Sequence, residues 1–136
     1  MTASRIVRSV RVHVPVEAET LRALLAGEAS ALERDPTLRA MLAIIREQGA
    51  LGDFGLYHGV AEITLGWETF VPGPEATPTL GNAAETTYSP TVTLTTWIRE
   101  GADQADVDAA LDALMAAHPW EIPVIEVAES RLLLRR

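Results

Sequence analysis

The chain has 136 residues, 48% of them apolar and 22% charged, which is an ordinary soluble globular composition, and its length predicts one domain over residues 1–136 with a single modest core. A formal net charge of −8 argues against nucleic acid and anionic membrane as partners, and the absence of cysteine excludes disulfides, thiol nucleophiles and thiolate metal sites. No apolar run approaches the roughly 20 residues that span a bilayer, and the opening "MTASRIVRSVRV" lacks the apolar core of a signal peptide, so a cytoplasmic protein is expected.

"RIVRSVRVHV" alternates, with Ile6, Val10, Val12 and Val14 on one face and Ser9, Arg11 and His13 on the other. Period two over this length predicts a half-buried strand, which Pro15 ends. A helix follows with Leu21, Leu24 and Leu25 on one face and Gly27 as its stop. "DPTLRAMLAIIREQG" predicts a second helix: Asp35 is the N-cap, Pro36 suits the first helical position, and Gly49 fits the C-terminal cap. Its apolar stripe is Leu38, Met41, Leu42 and Ile45.

The glycine-rich "GALGDFGLYHG" predicts a turn into a strand from about Leu56 to Leu65, continuing or bending near "GWETF". "VPGPEATPTLGN" reads as a loop, of a length that is often functional or interfacial. "TVTLTTWI" alternates again, Val92, Leu94 and Ile98 against Thr91, Thr93, Thr95 and Trp97. The next helix is capped by Asp103, carries Asp106 and Asp108 near its positive end, and buries Val107, Ala110, Leu111 and Leu114. His118 continues that face and Pro119 stops the helix. "WEIPVIEV" then predicts a strand whose Pro123 implies an edge or a bulge, and "RLLLRR" a short final strand or docked tail.

Two strand–helix–strand halves in this order predict an α+β, ferredoxin-like (split βαβ) fold: a four-stranded antiparallel sheet with helices on one face and an extra helix in the first half. The opposite sheet face, of mixed polarity and carrying Trp97, is a natural oligomer surface and a place to hold a small ligand.

Three motifs in order carry a family resemblance. They are "GALGDFGLYHG" with Gly49, Gly52 and Tyr57; "GWETFVPGPEATPTLGN" with Gly66, Phe70, Pro72, Pro78 and Gly81; and the ending with His118, Pro119, Trp120 in an aromatic place, Glu121 and Pro123. They resemble the inserted domain of the Nif-three-like (YqfO-type) proteins, and the last is similar to the His-Pro-Tyr-Glu-x-Pro ending of CutA, the divalent-cation tolerance protein. Both look like relatives of the PII signalling proteins. The resemblance covers about residues 5–128 and implies a PII/CutA-like, trimeric domain with ligands at subunit clefts. The segment between Pro15 and Gly49 is longer than the family's single helix, and the cysteines common in these relatives are missing. None of these 136 residues matches the family's flanking di-metal domain, so the expectation is that a hydrolase-type activity does not carry over.

Each candidate site residue has a functional and a structural reading. His118 with Glu121 forms the candidate metal site; on an apolar helical stripe, however, a histidine more often caps the helix end and packs. Tyr57, His58, Trp97 and Trp120 are the candidate ligand-binding residues, with solvated or interfacial side chains as the structural reading. His58 and Glu62 sit about 13 Å apart on a regular strand, too far to share an ion without a partner such as His13. "GALGDFG" is not a phosphate loop, and no GxSxG or HExxH is present. The expectation is a non-enzymatic homo-oligomeric binding or regulatory module, with a divalent cation or small ligand at subunit clefts. A dimeric α+β barrel enzyme using a His/Glu acid–base pair is one alternative, and a purely structural oligomer is another.

Overall fold

A computed structural model describes residues 2–135. The elements run β1 (Ser4–Pro15), α1 (Ala18–Leu25), a 3-10 turn (Ala29–Glu33), α2 (Pro36–Glu47), β2 (Glu62–Phe70), β3 (Thr87–Ile98), α3 (Gln104–Ala117) and β4 (Ile125–Leu133). The sheet order is β2-β3-β1-β4 and every neighbouring pair is antiparallel. The parallel pairs β1/β2 and β3/β4 are therefore each split by another strand, which is the ferredoxin-like arrangement.

The alternation in β1 and β3 puts Val10, Val12, Val14, Val92, Leu94 and Ile98 on the helix side, all buried. Leu38, Met41, Leu42 and Ile45 of α2 and Val107, Ala110 and Leu114 of α3 close the core over them. Ile6 departs from its expected place, being 42% exposed, whereas Val7 is buried on the opposite face beside the Trp97 end of β3. There Phe54 packs edge-on against Trp97 at 5.8 Å, and the Arg5 guanidinium lies 5.7 Å from the Phe54 centroid.

One carboxylate organises the lengthened first half. Asp35 is buried and accepts from the Thr37 and Leu38 N–H groups of α2, from the Glu17 N–H at the start of α1, and from the Thr20 hydroxyl. It caps α2 and ties the first turn of α1 to it. The C-terminus of α1 closes with paired bonds, Gly27 N–H to Leu24 and Glu28 N–H to Ala23, with Gly27 left-handed at φ +90°. Leu25 is off the buried stripe and 59% exposed, with Thr20 buried beside Leu21 and Leu24 instead.

Three sequence boundaries are corrected. Gly49 does not cap α2 in a left-handed conformation; the helix ends at Glu47, the next residue Gln48 is extended, and the left-handed glycine comes at Gly52. The strand expected from Leu56 begins at Glu62 and continues through "GWETF" to Phe70. Residues 52–60 instead form a loop fastened at its neck by Gly52 N–H to Trp97, Val60 N–H to Gly52 and the Thr96 hydroxyl to Val60. "WEIPVIEV" is a strand only from Ile125, because Pro119 and Pro123 offer no N–H and the His13 carbonyl is taken by the His118 ring. "RLLLRR" falls partly in β4, which ends at Leu133; Arg136 lies outside the described residues.

Candidate functional site

β2 and β3 run past the end of β1, whose last pairing is Pro15 with Thr91, and are joined by the proline-rich loop 71–86. That loop folds against the irregular segment after α3. The Thr77 N–H donates to the Glu121 carboxylate at 2.6 Å, and the Thr79 hydroxyl donates to the Pro119 carbonyl at 3.1 Å. Between loop and segment lies a half-open groove of about 490 Å³. Its aromatic wall is Phe70 edge-on to Trp120 at 5.1 Å, and Glu68, Glu75 and Glu121 also line it. The loop shape depends on Gly81 (φ +97°), where a Cβ would meet the Thr87 hydroxyl at 2.3 Å.

His118 sits behind this groove and is 7% exposed. Its Nδ1 lies 3.2 Å from the Trp120 N–H, which donates to it, so the neutral ring carries its proton on Nε2 and donates to the His13 carbonyl at 2.7 Å. Burial is the main cause that pushes the ring below the usual imidazole pKa; His13 acts in the same direction, while the His13 carbonyl and Glu68 oppose it. The ring therefore stitches the end of α3 to β1 and holds Trp120 in position. With both nitrogens engaged by main chain, no lone pair is left for a cation, so His118 as arranged does not fit the metal-ligand role. Among the described residues no group of three or more His, Asp or Glu side chains is placed to hold a metal ion.

Glu121 and Trp120 are neighbours that a regular strand would put on opposite sides; both line the groove, because residues 118–124 are not a strand. The structure also pairs His13 Nδ1 with Glu68 at 3.4 Å, both side chains mostly buried on the open sheet face. The sequence reading missed Glu68. Period two through "GWETF" places Glu68 and Phe70 on one face, a signal left unused because the strand was expected either to continue or to bend there.

Tyr57, His58 and Trp97 are not brought to the groove. Tyr57 is 72% exposed on the 52–60 loop. His58 Nδ1 faces Asp53 at 3.5 Å, and Asp53 also meets Arg99. The Asp53 carboxyl is held below its usual range, first by the Gly55 N–H and then by Arg99, with burial opposing. Trp97 pairs with Ser9 and His13 with Thr93, which puts the two clusters about 13 Å apart along the sheet.

No protein-family model and no curated protein matches the chain. Among solved structures, a Bacillus cereus protein related to NIF3 matches over 99% of this chain at 19% identity with a TM-score of 0.54. It shares the fold. The chain spans about a quarter of that protein, 27% of its length. The divalent ion tolerance protein CutA1 of Ehrlichia chaffeensis matches over 93% of this chain and 82% of its own, at 13% identity and a TM-score of 0.46. CutA1 of Oryza sativa matches over 98% of this chain and 84% of its own, at 16% identity and a TM-score of 0.44. NIF3-related proteins are the group that the three sequence motifs resemble, and CutA the group that the last of them is similar to.

Proposed function

We propose that the chain is a non-enzymatic cytoplasmic binding module that assembles with copies of itself, as a trimer ahead of a dimer, and holds a small ligand in the groove at a subunit cleft. The observation that carries this reading is the groove itself, a half-open cavity of about 490 Å³ with an aromatic wall and a few convergent polar groups. Assembly is supported by the sheet face that no helix covers and by the projecting β2–β3 hairpin, where Trp67, Val71 and Tyr88 are more than half exposed. No helix among the described residues is long and apolar enough to cross a membrane.

A divalent cation is the alternative ligand. It would bind through Glu121, and His118 would first have to give up one of its two main-chain bonds. The enzyme alternative draws on one observation, the His13–Glu68 pair next to the groove, which has the composition of an acid–base dyad. Native mass spectrometry of the full chain, with metal analysis of the purified protein, separates the readings. A metal-free trimer is the expected result. A monomer would refute the assembly, and a stoichiometric metal lost in Glu121→Ala would replace the ligand class. A dimer enclosing His13 would favour the enzyme.

A further inference from the structure

We propose that the groove selects a small organic cation: a substituted ammonium or guanidinium group carried on an apolar body. This rests on the binding-module reading above and names the ligand class of that site. Two independent properties of the lining point the same way. The first is shape and surface. Phe70 and Trp120 meet edge-on at 5.1 Å and both line the groove, and the apolar lining continues over Pro72 and Pro78. Aromatic faces attract cations, and an apolar wall takes the body of the ligand.

The second property is charge complementarity. Glu68, Glu75 and Glu121 line the groove, and no arginine lines it among the described residues. The chain contains no lysine. The nearby His118 ring is pushed toward its neutral form by burial, and the Trp120 N–H occupies its Nδ1, so it offers no free donor to an anion in the groove. The Glu121 carboxylate has one oxygen committed to the Thr77 N–H, which fixes its position and leaves the second oxygen for a ligand. A carboxylate or phosphate ligand would meet the Glu75 and Glu121 carboxylates, with Glu68 facing His13, and no arginine or lysine in the lining. A bare divalent ion would leave the aromatic wall unused.

The test uses the full chain and three probes of similar size: 2-phenylethylammonium, 2-phenylethanol and phenylacetate. The readout is the Trp120 indole N–H resonance, assigned through Trp120→Phe. The ammonium should shift that resonance with a dissociation constant of about 1 mM or tighter, and the alcohol should bind at least about tenfold more weakly. Phenylacetate should give no response. Glu75→Gln should weaken ammonium binding several-fold while leaving the fold unchanged, since Glu75 is exposed and makes no hydrogen bond that the fold uses. If the alcohol or the acid shifts Trp120 as strongly as the ammonium, the cation assignment is overturned and the binding-module reading stands. If none of the three moves Trp120 up to about 10 mM, the groove is not a small-ligand site for this size class and both readings fall.

Discussion

Replacing His118 should cost about 3 kcal/mol, and the loss should depend on pH in a direction the structure fixes. In His118→Ala the His13 carbonyl and the Trp120 N–H both lose their partner in a largely buried position. Each stranded group costs about 1–3 kcal/mol, taken here near the lower end because the surroundings are only partly closed, and the lost ring burial adds about 1 kcal/mol. For a chain of this size the melting temperature should fall by roughly 10 °C. His118→Asn keeps an acceptor near the Nδ1 position and should recover part of this. The pH effect follows from burial holding the ring pKa down in the folded state. As pH falls below the usual imidazole value of about 6.5, the unfolded chain takes up the proton first, so acid favours unfolding. The contribution of His118 is complete above that value and is lost as pH falls toward the depressed folded pKa, with a limiting slope of about 1.4 kcal/mol per pH unit. Urea unfolding of wild type and His118→Asn at pH 7.5 and 5.5 isolates this residue, because the variant cannot titrate there. The wild-type advantage should shrink at the lower pH. An advantage that is constant or grows on acidification, or a His118→Ala loss under about 1 kcal/mol, would show that the ring does not bridge the two segments as described.

Asp35→Ala should lose about 2–3 kcal/mol by denaturant titration, more than an ordinary cap, because the carboxylate serves both α1 and α2; Asp35→Asn should lose clearly less. Gly52→Ala should lose about 2 kcal/mol or more in thermal melts, since a Cβ would lie 2.6–2.7 Å from the Val60 backbone and the φ of +68° is unfavourable to it, whereas Gly73→Ala, with open space around it, should be near neutral. Leu114→Ala should cost about 2–5 kcal/mol, the range for truncating a fully buried leucine, whereas the neighbouring and half-exposed Met115 should tolerate alanine within about 0.5 kcal/mol.

The strongly periodic parts of the molecule were legible residue by residue. Val10, Val12 and Val14, the α2 stripe and Val107, Ala110 and Leu114 of the α3 face are buried as their spacing requires, with Leu111 partly buried beside them, and Asp35 and Asp103 cap as their positions require. The site was only partly legible. Phe70, Pro72, Pro78, Trp120 and Glu121 entered as separate marks in two motifs, and nothing in their spacing said that loop 71–86 folds onto residues 119–121. His118 had the right phase for burial, but its bond to His13 crosses 105 positions of sequence. Glu68 and His13 had no local signal that they pair, since they lie on strands that are separated by β3.

The sequence alone determined most of the residues that face the core, where α2 and α3 begin, and from the order of elements the split βαβ plan, because side-chain period, caps and proline are properties of neighbours along the chain. Tertiary structure decided the rest: that one buried carboxylate joins the two helices of the lengthened first half, that a histidine ring takes the His13 carbonyl at the start of β4, and that two irregular segments meet to make a groove. Those features rest on hydrogen bonds between distant segments whose donors and acceptors every sequence carries, and only the folded geometry selects which of them pair.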